Sequence, residues 1–115
     1  MDGAGKADRA MSTTVPNPIA DEVIGTLRRH EAELRQAGIE HLCLFGSVAR
    51  GEADAASDVD LIASLNPAAR IGLFGLAALE QRLASILGRK VDLVPEPIET
   101  PRFLARIAQD RKSAF

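Results

Sequence analysis

An α/β fold, a small mixed sheet of about three strands flanked by helices, is what this sequence predicts, and three observations predict it. Apolar stretches of helical period alternate along the chain with short β-type runs. Each change of period is marked by glycine, proline or asparagine. The 115 residues are 46% apolar, which supplies one modest core and no second. With four Phe and no Trp or Tyr, that core is built from Leu, Ile, Val and Ala.

The elements follow in order. Residues 1–16 are small and polar without hydrophobic periodicity and read as a disordered arm, within which Met11 is an alternative initiator to Met1. Residues 17–115 form the domain. Asn17 offers an N-cap and Pro18 a first-turn residue for a helix over 18–37. Its apolar series Val23, Ile24, Leu27 and Leu34 is interrupted at Glu31, and Gly38 is the stop. His41 to Phe45 is short and apolar and reads as a buried strand, Gly46-Ser47 turns the chain, and Val48 to Gly51 is long enough for one helical turn. After the loop GEADAAS comes an alternating strand, Asp58 to Ser64. It sets Asp58, Asp60 and Ile62 on one face and Val59, Leu61 and Ala63 on the other. Asn66-Pro67 breaks the chain before a helix over 71–87, with Ile71, Phe74, Leu79, Leu83, Ile86 and Leu87 toward the core and Gly88 as its end. Lys90 to Val94 is a third strand carrying Asp92. The Pro-rich link leads to Thr100 as N-cap and Pro101 as first residue of a last helix striped by Phe103, Leu104 and Ile107. The order is α, β, short α, β, α, β, α.

Composition excludes several function classes. Fourteen basic against sixteen acidic residues leave a net charge of -2, with no basic patch, so neither nucleic acid nor a membrane is an expected partner. Cys43 has no second cysteine to pair with, and no apolar run reaches membrane-spanning or signal-peptide character, so a cytoplasmic location is expected.

The chemistry lies between Leu42 and Leu65 and at Asp92. Three carboxylates, Asp58, Asp60 and Asp92, stand in strands that otherwise read as core, where unpaired charge is costly. Oxygen-only ligands without a His or Cys cluster suit Mg²⁺, which takes one or two carboxylates and completes its shell from phosphate and water. The plainer alternative has Asp58 capping the strand start and pairs Asp60 with Arg50 and Asp92 with Lys90 or Arg89; three carboxylates in strands, two of them on one face, weigh against it. Gly46 after a strand lets backbone approach a phosphate, and Ser47 adds a hydroxyl donor, although Gly-Ser pairs are ordinary turns when alone. Arg50 either neutralises phosphate or holds an aspartate. His30 and His41 lack spaced partners for zinc, and Cys43 reads as a packed thiol. Arg28, Arg29 and Arg35 read as a solvated helix face.

Gly46-Ser47, ten residues, then Asp58-Val59-Asp60 resembles the G-S-x10-D-x-D signature of the DNA polymerase β-type nucleotidyltransferase superfamily. The strings FGSVARGEADAASDVDLIASL and GRKVDLVPEPI resemble its smallest members, the MNT minimal nucleotidyltransferases, from the first helix to near the C-terminus. The resemblance implies a nucleotidyltransferase fold over 17–115. It also implies two Mg²⁺ ions held by Asp58, Asp60 and Asp92, ATP as substrate bound at Gly46, Ser47 and Arg50, and Asp92 helping to deprotonate the acceptor. Related proteins are antitoxins paired with HEPN toxins, which implies AMP transfer from ATP to a toxin tyrosine; with no Tyr of its own, this chain must find that acceptor on another protein. Two alternatives remain: an antitoxin that acts by binding alone with a vestigial site, and a small-molecule, aminoglycoside-type nucleotidyltransferase. A homo- or hetero-oligomer is compatible with each.

Overall fold

The computed structural model describes residues 17–54, 57–96 and 101–115. The arm expected before residue 17 and the Thr100 cap lie outside these. Asn17 caps the first helix, its side-chain oxygen accepting from the Ala20 backbone N–H at 3.3 Å, and Pro18 takes a first-turn place where no N–H is needed. Where one helix over 18–37 was expected there are two, α1 (Pro18–Arg29) and α2 (Glu31–Gln36), hinged at His30. The charge at position 31 accounts for the break. A continuous helix would carry Glu31 onto the face of Val23 and Leu27. The hinge instead leaves it half in solvent, bonded to Arg35 Nε at 2.7 Å, while Leu34 becomes fully buried.

Four strands form one mixed sheet: β1 (Ile39–Phe45), β2 (Val59–Leu65), β3 (Val91–Pro95) and β4 (Lys112–Ser113), in spatial order β3-β2-β1-β4. β1 runs antiparallel to β2 and β4, and β2 parallel to β3. The parallel pair needs a crossover, supplied by α4 (Leu73–Leu87), while α3 (Gly46–Arg50) follows β1 directly and α5 (Pro101–Asp110) follows β3. A short 3-10 turn at Pro67–Ala69 precedes α4. The fourth strand escapes sequence reading because two residues carry no period.

Strand alternation divides the core. Val59, Leu61 and Ala63 pack with Val23, Leu27, Leu34, Leu79 and Leu83 beneath α1, α2 and α4. Ile62 joins Cys43, Phe45 and Ile107 in a smaller cluster under α5, so the central strands are covered on both faces. Phe74, expected in the core, stands 90% exposed. At about 100° per residue it lies about 180° around α4 from buried Leu83, so the longer helical series wins over the single aromatic. Arg28 is not merely solvated, since its Nε–H donates to the carbonyl of Ala114, the residue after β4, at 2.8 Å and ties α1 to the C-terminal segment. Phe115 packs partly buried on the main core with the Arg35 guanidinium 5.1 Å above its ring, and Phe103 meets Phe45 edge-on at 5.7 Å. Among the described residues no helix is long and apolar enough to cross a membrane.

Asn17 does more than cap. Its side-chain Nδ2 donates to the Val48 carbonyl at 3.0 Å and the Ala49 carbonyl at 3.3 Å, pinning α3 to the start of α1. Asn17→Ala is therefore expected to lower stability in urea denaturation by about 1–2 kcal/mol, and Asn17→Asp, which keeps the cap but loses the donors, to recover only part of it. Full recovery by Asp would show that the α3 tether contributes nothing.

Candidate active site

The site is assembled where β1 ends and β2 and β3 begin. Gly46 follows Phe45 with φ +77°, in the left-handed region, and a Cβ there would overlap the Asp60 carboxylate. Glycine is thus required twice, by backbone conformation and by space. Phe45 is the register partner of Asp60, and Asp60 of Asp92, so the three residues form a row across the sheet. The neighbours Val59, Leu61, Val91 and Leu93 enter the main core. Asp60 and Asp92 accordingly share the opposite face, on backbones about 4.8 Å apart.

That face forms one wall of a cavity of about 390 Å³. Gly46, Arg50, Asp60, Asp92 and Asp110 make its polar side, and Phe45, Leu93, Val94, Phe103 and Ile107 its apolar side. Asp60 titrates above the ordinary carboxylate range, chiefly because it is partly buried, then because Asp92 and Asp58 repel its charge; Arg50 pulls the other way.

The remaining expected residues are placed less centrally. Asp58 precedes β2 rather than lying in it, is 45% exposed, and faces Lys90 Nζ at 3.9 Å; it is near enough to raise Asp60 but does not line the cavity. Asp92 is exposed, and among the described residues no charged side chain is buried. The strands' apolar pattern therefore overstated the burial of these carboxylates: the faces they occupy border an open cavity. Ser47 is partly buried beside the cavity, its carbonyl accepting from the Glu52 N–H at 2.9 Å. Arg50 lines the cavity yet pairs with neither Asp58 nor Asp60. Its Nε–H donates to Glu52 and a terminal N–H to Asp110, both at 2.9 Å, and these two bonds, Glu52 foremost, raise its pKa.

Asp110 was missed in the sequence. The signal was there, since Phe103, Ile107 and Asp110 fall on one face of a helix, so the apolar stripe ends in a carboxylate aimed the same way. Outside the cavity, Cys43 is a packed thiol accepting from Arg111 Nε–H at 3.1 Å, His30 Nδ1 lies 2.8 Å from Glu33, and His41 is exposed.

Among the described residues no three His, Cys, Asp or Glu side chains stand ready as a metal-ligand set. What does stand ready is an all-oxygen pair, Asp60 and Asp92, adjacent and mutually repelling. Such a pair fits a hard divalent cation that takes its other ligands from phosphate and water.

The family model for the nucleotidyltransferase domain matches residues 27–114. Protein adenylyltransferase MntA of Thermococcus cleftensis is 37% identical over 75 residues, 64% of this chain and 74% of that protein. A solved structure assigned as a minimal nucleotidyltransferase is 35% identical, with TM-score 0.60 over 77% of this chain and 93% of that one. The structure of a tri-AMPylated Shewanella oneidensis HEPN toxin in complex with MNT antitoxin aligns with TM-score 0.57 at 21% identity, over 80% of this chain and 71% of that one, a likeness of fold.

Proposed function

This chain belongs to the nucleotidyltransferase domain family, and from that premise we propose that it is a Mg²⁺-dependent adenylyltransferase antitoxin that moves AMP from ATP onto a tyrosine of a cognate HEPN toxin. One observation carries the reading: Asp60 and Asp92 are register partners on parallel strands, with Gly46 turned onto Asp60 and all three in one cavity. The relative named as a protein adenylyltransferase supports a protein acceptor, and the complex of an AMPylated HEPN toxin with an MNT antitoxin is in keeping with a toxin in that part.

Each residue has a part. Asp60 and Asp92, with Asp58 two residues before Asp60, would hold the metal ions, which would supply charge neutralisation along the triphosphate and lower the acceptor hydroxyl's pKa. Gly46 leaves room for phosphate beside Asp60, Ser47 offers its hydroxyl, and Arg50 places a guanidinium on the same wall. The acceptor oxygen attacks the α-phosphorus, the bond to the bridging oxygen of the β-phosphate breaks, and pyrophosphate leaves with that electron pair. Asp92, the more exposed carboxylate of the pair, takes the hydroxyl proton.

The test is label transfer. With ATP labelled on its α-phosphate, Mg²⁺ and the cognate toxin, label should appear on the toxin and vanish with chelator, with Asp58→Asn and with Asp60→Asn. Variants that label the toxin as well as wild type does would remove the carboxylate mechanism. Variants that label nothing yet still neutralise the toxin would show that binding alone suffices.

A further inference from the structure

The geometry points to Asp110 as the positioning residue that aims Arg50 at the triphosphate, an inference that rests on the nucleotidyltransferase reading. Arg50 sits one short turn beyond Gly46, and its side chain is 37% exposed, long enough and free enough to leave the cavity for solvent. Two carboxylates hold it. Glu52 is a near neighbour, two residues on and just past the end of α3, and itself 61% exposed, a soft anchor. Asp110 is different: it lies sixty positions away in sequence, at the end of α5, and its side chain is only 16% exposed. Its helix is fixed to the sheet through Phe103, edge-on to Phe45, and through fully buried Ile107. The carboxylate is therefore carried by a packed element, and the 2.9 Å bond transmits that rigidity to a guanidinium on the cavity wall.

A guanidinium has five N–H donors, and the two bonds to Glu52 and Asp110 leave others for phosphate. The pair thus holds Arg50 while leaving it able to bind. A carboxylate facing a triphosphate unpaired would repel it; paired with Arg50, Asp110 contributes orientation in place of repulsion.

Affinity for nucleotide in Mg²⁺, read by titration calorimetry, tests this without any acceptor protein. Asp110→Asn should weaken ATP binding about fivefold to twentyfold and leave AMP binding within about twofold, because the held guanidinium serves the β- and γ-phosphates. Asp110→Glu should restore most of the ATP affinity. In an Arg50→Gln background, Asp110→Asn should change ATP affinity by less than about twofold, since nothing remains to be aimed. Tighter ATP binding by Asp110→Asn would show that Asp110 competes with phosphate for Arg50, and equal losses of ATP and AMP binding would show a merely structural role; either overturns the inference. If Asp110→Asn does not fold, Asp110→Ser, which also removes the carboxylate, carries the same comparison in the wild-type and Arg50→Gln backgrounds. Wild-type protein that binds no ATP would overturn the nucleotidyltransferase reading itself, whereas ATP binding insensitive to Asp110→Asn overturns this inference alone.

Discussion

Asp60→Asn is expected to abolish transfer and at the same time to stabilise the protein. The first effect follows from taking away the carboxylate at the centre of the row Phe45, Asp60, Asp92; a neutral amide is a far poorer ligand for a hard cation, and a loss of about 10³-fold or more is expected. The second follows from the sign of its titration. Asp60 is raised above the ordinary carboxylate range in the folded protein, by partial burial first and by Asp92 and Asp58 next. The native state therefore prefers the protonated form. The destabilisation is absent below the unfolded pKa, appears as pH rises through the window between the unfolded and the raised folded pKa, and is fully present at neutral pH. An amide removes it. Allowing for solvent screening at a partly exposed group, the gain is small and is read as a melting temperature higher at pH 7 and unchanged near pH 3. Scanning calorimetry of the two proteins at both pH values checks the sign. A variant less stable than wild type at pH 7 would mean that Asp60 makes a stabilising bond instead of bearing repulsion. Adding Mg²⁺ with ATP should reverse the order, raising the melting temperature of wild type alone.

Gly46→Ala is expected to reduce transfer about 10²-fold or more while leaving a folded protein. Two independent demands meet at this position, the left-handed φ of +77° and the overlap of any Cβ with the Asp60 carboxylate. The conformational demand costs about 1–2 kcal/mol of stability. The spatial demand displaces Asp60 from Asp92, and a misplacement of about 1 Å at a reacting centre is worth about 10²-fold in rate. Gly88→Ala separates the two. Gly88 also has positive φ, +65°, at the end of α4, but a Cβ there meets nothing within 4 Å. It should lose comparable stability and keep its transfer rate. Equal losses of activity in both variants would leave no role for the contact between Gly46 and Asp60.

Much of the scaffold was legible because it is written in local periodicity. Asn17 and Pro18 mark a helix start wherever they precede an apolar helical series. Three strands were found within about two residues of their ends, since apolar runs bounded by glycine and proline have few alternatives. Errors came where two local signals competed: Glu31 against a continuous first helix, and Phe74 against the stronger phase of Leu79 and Leu83. The two-residue strand Lys112–Ser113 carried no signal at all, because its place is decided by hydrogen bonding to the free edge of β1 at Cys43 and Leu44.

The candidate site divides along the same line. By itself the sequence determined which residue types are available, a Gly-Ser turn after a strand, two aspartates one residue apart, and a third aspartate in another strand. Only the tertiary structure decided that Asp60 and Asp92 are direct register partners, that Asp58 lies outside the cavity lining and faces Lys90, and that Arg50 answers to Asp110. The physical reason is that residue type and spacing are properties of the chain. Register between parallel strands is set by the α4 crossover and by packing on both faces of the sheet, and neither leaves a mark at Asp92 or Asp110.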